Sequence, residues 1–578
     1  MQTGYPSIDK PWLKYYSGET LNVLPTGMSI YDYMRQCNQN HLHDVALLYQ
    51  GRRITFEQMF QEIEIVARAL VAISINVGDI VTLTLPTTPE TVYLFYALNK
   101  LGAVANFIDP RTNITRIRKY ILDTNSEYIF TIDKYSKAVM EAVQETRIKF
   151  GVILSAKTSL PVLMKCTYTM ATLCAKNTGF DSISPTGKLF VSWKQFLAYS
   201  NSIATVDSAA FCANRPAGIV YTSGTTGIPK GAVFSNENLV AQAVNMSNAF
   251  FIEHRGRGCR FLNIMPPWLA YGLTCAMSTI LCMGMQMDII PQFNYTKFDT
   301  LLLKHKPEII LGVPTFFEEV IKSPKLKGVD LSFLKAIIVG GSPLNIGTEE
   351  KINAFLANHN AKIRISKGYG MTEMCAATTY TSKDACNSLG SVGIPMFLNN
   401  VAIVDPDTQQ ELKYNEVGEI YLTGPTRMLQ YLGNEAETQK IFTDFRGDKW
   451  VKTGDFGCIS ENGEIFHRGR IKQIMIYEGH NVFPGSIEDV LSKHPAVSQV
   501  VVAGVVHKES INNEVPTAFI VLQAGYEKSA SIIDDFKAFS LIHLPQRDVA
   551  QAYVIVDAIP LTSNGKVDYT TLKQIAIG

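Results

Sequence analysis

The chain has 578 residues, 46% of them hydrophobic and only 18% charged, and its 53 Lys and Arg nearly cancel its 52 Asp and Glu to leave a net charge of +1. A disordered chain is excluded, since it needs low hydrophobicity and high net charge, as is a nucleic-acid binder held by bulk positive charge. The length gives room for two to four domains, and the low charge leaves two classes to separate: a membrane protein, or one with large apolar interiors.

The opening residues MQTGYPSIDKPW carry Pro6, Asp9 and Lys10 and no apolar stretch, so they do not read as a signal peptide. His41 and His43 stand alone, without the spacing of a metal site. Residues 78–86 (GDIVTLTLP) predict a strand, 90–103 (ETVYLFYALNKLGA) a helix and 104–110 (VANFIDP) a second strand. Residues 308–314 and 334–344 read as buried strands that stop at Gly and Pro. Strands alternating with helices point to an α/β fold with mainly parallel sheets. Between these segments, Phe261 to Met287 is uncharged over 27 residues, enough to span a bilayer if it were apolar throughout. It contains Asn263, Pro266, Pro267, Gly272, Ser278 and Gln286, so the expectation is a buried helix or pocket wall. Asn462-Gly463 marks a hairpin turn. Beyond it, short strands at 497–506 and 517–522 and helices near 486–493 and 530–540 suggest a small separate α+β domain. The ten cysteines include no CxxC and predict free, buried, reduced thiols, which fits a cytoplasmic protein.

The sharpest local signal is YTSGTTGIPKG, Tyr221 to Gly231. Three glycines allow backbone N–H groups to turn toward an anion, Thr222, Ser223, Thr225 and Thr226 add hydroxyl donors, and Lys230 adds charge. The pattern is a cradle for a polyphosphate, yet it is neither GxxxxGK[ST] nor GxGxxG. A P-loop NTPase and a dinucleotide-binding dehydrogenase are thereby demoted.

TSGTTGIPKG (222–231) resembles the signature loop of the AMP-forming, adenylate-forming enzymes, which include acyl-CoA synthetases, aryl-CoA ligases, adenylation domains and luciferases. The other motifs of that family follow in order: GGSPL (340–344), GYGMTE (368–373), TGD (453–455), GRIKQIMIYEGHNVFPGSIE (469–488) and LTSNGKVD (561–568). The resemblance runs from about residue 25 to 575. It implies a large N-terminal multi-sheet α/β domain, residues 1–471, that binds the nucleotide, and a small mobile C-terminal α+β domain, residues 472–578, that carries a catalytic lysine.

Carried over residue by residue, the resemblance implies that Thr222, Ser223, Gly224, Thr225, Thr226, Gly227 and Lys230 hold the β- and γ-phosphates of ATP. Tyr369 would stack on adenine, with Gly341 and Ser342 lining the same pocket. Asp455 would accept from both ribose hydroxyls, with Arg470 nearby. Thr372 and Glu373 would serve the phosphates and Mg²⁺, with Thr225 as a second metal contact. Lys566 would swing into the cleft during adenylation, Lys472 would be the hinge, and Gly479 and Asn481 would face the incoming thiol. Trp268, Tyr271, Gly370 and Ala376 would line the slot for the acid.

The departures from the family bear on the substrate. Ile476 stands where plant aryl-CoA ligases and luciferases resemble one another in carrying Lys, and Asn481 where they carry Gln, so this segment leans toward the fatty-acyl type. Leu269 replaces a common His, Gln473 a common Asp and Ser486 a common Glu. No Asp lies between 261 and 287 to hold an α-ammonium, which argues against amino acids. Lys367 is unusual before GYG and could face either a polar group on the substrate or water. The leading expectation is an ATP-dependent acid–thiol ligase that takes an apolar acid and CoA. Alternatives are loading of a carrier-protein phosphopantetheine arm, a luciferase-like oxidoreductase and a non-catalytic nucleotide binder. The partners expected are small molecules, with no nucleic acid and no transmembrane span; which acid is used and the oligomeric state stay open.

Overall fold

The computed structural model describes residues 3–16, 23–25, 27–155, 158–160, 190–222, 229–249, 256–381, 386–477, 480–506, 514–562 and 567–577. The strands expected along the N-terminal half form as Ile80–Thr84, Val104–Phe107, Ile309–Gly312 and Ala336–Gly340. The helix Pro89–Lys100 lies between the first two; the Thr88 hydroxyl accepts from the Thr91 N–H, and Pro89 occupies a position that needs no donor. All its residues are buried, which explains an apolar run with little amphipathic contrast.

Two large sheets carry the architecture. One has eight strands, in the order Gln430–Tyr431, Gly231–Ser235, Pro216–Tyr221, Val104–Phe107, Ile80–Thr84, Tyr128–Ile132, Phe150–Leu154 and Phe190–Ser192. The other has seven, in the order Ser366–Gly368, Ala336–Gly340, Ile309–Gly312, Arg260–Asn263, Gln286–Ile289, Val45–Tyr49 and Arg52–Thr55. Pairing is parallel through the middle of both and antiparallel at an edge. Parallel strands covered on both faces need no polar side, hence the continuous apolar runs.

The 27-residue uncharged run is a crossover inside the seven-stranded sheet. It starts in the strand Arg260–Asn263, passes through a π-helix at Tyr271–Thr279 and the short helix Ile280–Cys282, and enters the strand Gln286–Ile289. The two strands pair in parallel, Phe261 against Met287. Among the described residues no helix is long and apolar enough to cross a membrane.

A third, antiparallel sheet holds Asn400–Val404, Gly418–Thr423, Phe442–Phe445, the long strand Asp448–Ile459 and Ile465–Arg470. Its last two strands meet at the expected turn, where Gly463 adopts φ +89°. One large core runs from Ile30 to Ile465. From Met475 onward the apolar side chains form clusters of their own. The strand Val497–Val506 feeds both, Val500 and Val502 on one face and Val501, Ala503 and Val505 on the other, the period-2 alternation of a strand covered on each side. No disulfide joins any of the eight described cysteines, but Cys37 is half-buried and Cys212 exposed, contrary to the expectation of burial: Cys37 is off the buried face of the helix Ile30–Asn38, and Cys212 lies in an irregular segment.

Within this C-terminal segment, Glu488 on the helix Pro484–Leu491 accepts the Val502 N–H at 2.7 Å. Desolvation pushes its pKa up to about 7, against the Val502 hydrogen bond, which lowers it. The folded value lies above the ordinary 4.5, so folding takes up a proton; this stabilisation is full below pH 4.5 and is lost as pH rises toward 7. Melting temperatures of Glu488→Gln should accordingly fall less than those of the parent between pH 4.5 and 7. Parallel pH profiles would contradict it.

Candidate active site

The strand Pro216–Tyr221 returns as Gly231–Ser235, antiparallel, with Tyr221 opposite Gly231. The glycine-rich loop is therefore a strand-to-strand connection. Its neck is closed reciprocally: the Thr222 N–H donates to the Lys230 carbonyl at 2.9 Å, and the Lys230 N–H to the Thr222 hydroxyl at 3.1 Å. Ser223, Gly224, Thr225, Thr226 and Gly227 lie outside the described residues. Lys230 Nζ sits 3.0 Å from Glu437 Oε2 and 4.3 Å from the centre of the Tyr431 ring. Hydrogen bonds from Lys440 and Lys230 hold the Glu437 carboxyl down at about 2.

The Tyr431 hydroxyl in turn donates to Glu373 Oε1. Burial, with the Glu373 carboxylate beside it, pushes the Tyr431 hydroxyl far above the usual range, so it stays protonated as the donor. Glu373 is buried in the short turn Thr372–Met374 and takes the Met428 N–H on its backbone carbonyl at 2.9 Å. The order Lys230, Tyr431, Glu373 places a cation, a hydroxyl and a carboxylate in contact. Among the described residues no three His, Cys, Asp or Glu gather as a metal cage. One buried carboxylate nonetheless fits Mg²⁺, which keeps waters and takes the rest of its oxygens from substrate phosphates.

Asp455 is the most constrained acid of the site. It sits on the long strand Asp448–Ile459, directly opposite Arg470 on Ile465–Arg470, so the ladder register sets the pair. It is 3% exposed. Its Oδ2 accepts the Tyr369 hydroxyl at 2.7 Å, and its Oδ1 lies 3.3 Å from Arg470 Nε and 3.7 Å from His467 Nε2. Burial opposes its charge, but His467, Arg470 and Tyr369 outweigh that and keep its pKa below the usual carboxylate value. Among the described residues no donor meets hydrogen-bond geometry at Oδ1. A buried acceptor left open calls for a ligand or water. The Ser342 hydroxyl, beyond the end of the strand Ala336–Gly340, is likewise buried without a partner among the described residues, and the preceding Gly341 supplies φ +79° for the turn.

The expected acid-binding residues gather around the π-helix. Tyr271 opens it, and the Thr274 hydroxyl ties it to the Cys375 carbonyl at 2.7 Å. A Cβ on Gly370 would stand 1.7 Å from the Ala376 carbonyl, so only glycine fits. Ala376 itself adopts φ +88°, a strained value for a residue with a Cβ. The Tyr271 hydroxyl and Trp268 Nε1 are buried and without a hydrogen-bond partner among the described residues, and Arg111 lies over the Trp268 ring at 5.4 Å.

Lys472 lies in the turn Ile471–Gln473 that joins the third sheet to the C-terminal segment. Asn481 pairs through its backbone with Ile476 in the hairpin Met475–Tyr477 and His480–Val482. Gly479 and Lys566 lie outside the described residues. Lys367 is not directed at substrate or water. It is buried, with Nζ 2.6 Å from Glu349 Oε1 and 2.8 Å from the Ser388 carbonyl. Removing one partner of such a pair strands the other, so Lys367→Met should cost about 3–5 kcal/mol, while Lys367→Met with Glu349→Gln should recover most of it. A single variant melting with the parent would refute this. Glu437, Tyr431, Glu349 and His467 belong to the site or its frame and carry no local sequence signal.

The AMP-binding enzyme family matches residues 34–432, and the AMP-binding enzyme C-terminal domain matches residues 486–566. A long-chain-fatty-acid–CoA ligase of Bacillus subtilis is 26% identical over 559 residues, covering 96% of both chains. 4-Coumarate–CoA ligase 1 of Arabidopsis thaliana is 27% identical, covering 94% of this chain and 92% of its own. The solved structure of ATP-bound MatB from Rhodopseudomonas palustris superposes with a TM-score of 0.78 at 23% identity, over 95% of this chain and 99% of MatB, and shares the fold. With its family match spanning well over half its length, the chain belongs to the AMP-binding enzymes.

Proposed function

We propose that the protein is an ATP-dependent carboxylic acid–CoA ligase that works through an acyl-adenylate. The observation that carries this reading is Asp455: a buried carboxylate with one oxygen fixed by Tyr369 and the other open beside Arg470, suited to vicinal hydroxyls of a ribose. Relatives named as CoA ligases for a long-chain fatty acid and for 4-coumarate support the thiol and the apolar acid.

In the first step a carboxylate oxygen of the acid bonds to the α-phosphorus of ATP, and the bond to the bridging oxygen breaks, so pyrophosphate leaves with the electron pair. In the second the CoA sulfur bonds to the acyl carbon, the thiol proton is lost and AMP departs. Charge gathers on phosphoryl oxygens in the first step, so positioned cations and N–H donors matter more than an acid or base. Thr222 and Lys230 with the loop between them would hold the outer phosphates, and Lys566 would meet the α-phosphate. Glu373, Thr372 and Thr225 would hold Mg²⁺, which when bound offsets phosphate charge. Tyr369, Gly341 and Ser342 would frame the adenine, and Trp268, Tyr271, Gly370 and Ala376 the acid. The chain would divide at the turn Ile471–Gln473 into 1–471 and 472–578, with Lys472 as hinge and Gly479 and Asn481 toward the thiol, in a cytoplasmic enzyme.

A pyrophosphate-release screen over aliphatic, aryl, sterol and dicarboxylic acids, with and without CoA, tests this. Release with at least one apolar acid, and a thioester only when CoA is present, is expected. No release with any acid would overturn the proposal.

A further inference from the structure

The helix Ile346–Asn358 begins just after the Gly341–Ser342 turn, and its first turn faces the C-terminal segment. The first four N–H groups of a helix have no partner within it. Asn345 serves one of them, accepting from Thr348 at 2.9 Å. Two others are served from across the domain boundary. Asp489 Oδ1 accepts the Ile346 N–H at 3.0 Å, and the Ser492 hydroxyl accepts the Gly347 N–H at 3.1 Å. One turn on, Lys351 Nζ donates to the Val497 carbonyl at 2.9 Å.

The approach depends on Gly347. A Cβ there would stand 2.4 Å from the Ser492 carbonyl oxygen and 2.7 Å from its hydroxyl. Gly347 has no positive φ, so alanine suits the helix itself. The missing side chain is therefore accounted for by the docked segment and by nothing within the helix. The same helix carries Glu349, whose ion pair with Lys367 fixes it to the strand Ser366–Gly368 immediately before Tyr369.

We propose that the first turn of Ile346–Asn358 is a latch for one orientation of the C-terminal domain, with Gly347, Asp489 and Ser492 as positioning residues for one of the two half-reactions. The proposal rests on the two-step ligase reading. A domain that turns about Ile471–Gln473 must leave this turn to adopt a second orientation, and the two borrowed caps set how readily it leaves.

Gly347→Ala in the full-length chain is the test, with Ser492→Ala as a variant that removes a cap without adding bulk. Melting of Gly347→Ala should fall no further than that of Ser492→Ala, since alanine suits the helix once the segment has left. Amide hydrogen exchange over residues 345–350 should quicken in both variants. Acyl-adenylate formation, read as pyrophosphate release, and thioester formation from supplied acyl-adenylate should change unequally, by about tenfold relative to each other, the equivalent of 1.4 kcal/mol. Equal changes in both half-reactions, or none, would overturn the latch. Exchange that stays at the parent rate overturns it whatever the chemistry. A parent enzyme that releases no pyrophosphate with any acid instead overturns the ligase reading, and the exchange measurement still decides whether the contact forms.

Discussion

Lys566→Ala should slow acyl-adenylate formation by about 10²–10³-fold, the scale for loss of one preorganised group that stabilises developing charge. The acid attacks as an anion and the α-phosphoryl oxygens gain charge as pyrophosphate departs, so a single ammonium at that point offsets repulsion that no neutral donor matches. Thioester formation from supplied acyl-adenylate should change far less, because the phosphoryl transfer is then already complete. ATP–pyrophosphate exchange measures the first effect and a coupled thiol assay the second. Exchange at the parent rate in Lys566→Ala would remove the residue from the mechanism.

Asp455→Asn should lower kcat/KM for ATP by about 10²-fold, mainly through KM. A hydrogen bond to a charged acceptor is worth about 1.5–3 kcal/mol, and in the variant, with the amide oxygen held by the Tyr369 hydroxyl, the ribose hydroxyls would meet a neutral amide NH2 in place of an anionic oxygen. The Tyr369 hydroxyl can still donate to the amide oxygen, so the change is aimed at the ligand more than at the fold. Arg470→Ala should have a smaller effect: its guanidinium is well exposed, and solvent screens its pairing with Asp455. Initial rates at varied ATP separate KM from kcat. An unchanged KM in Asp455→Asn would mean that the open Oδ1 is filled by water throughout.

The strands of the two large sheets were legible because parallel strands buried on both faces leave long apolar runs. The motifs were legible because each is local: a turn, a neck or a ladder end. Partnerships across the sequence were not. Lys230 and Glu437 are 207 residues apart, and Tyr431 and Glu373 are 58 apart. No periodicity ties such residues together; only the pairing of Gln430–Tyr431 beside Gly231–Ser235 does. Lys367 was ambiguous for the same reason. Ser366 and Gly368 on either side of it tell nothing of burial, and its counter-charge, Glu349, lies on a helix 18 residues away. The uncharged run was legible as buried, whereas its π-helical turn was not, because apolar residues on every face look alike at any helical spacing.

That π-helix has a consequence for how the chain tolerates change. A π-helix closes its hydrogen bonds one residue further along than an α-helix does, so Tyr271–Thr279 carries surplus length between two strands whose register is fixed by Phe261 against Met287. Losing one residue here lets the segment relax into ordinary α-helical bonding while both strands keep their partners. What changes is the direction in which Tyr271 and its neighbours point. Length variation by a single residue, ruinous in most crossovers, would in this one re-aim Tyr271, a residue proposed to line the acid slot, without rebuilding the sheet beneath.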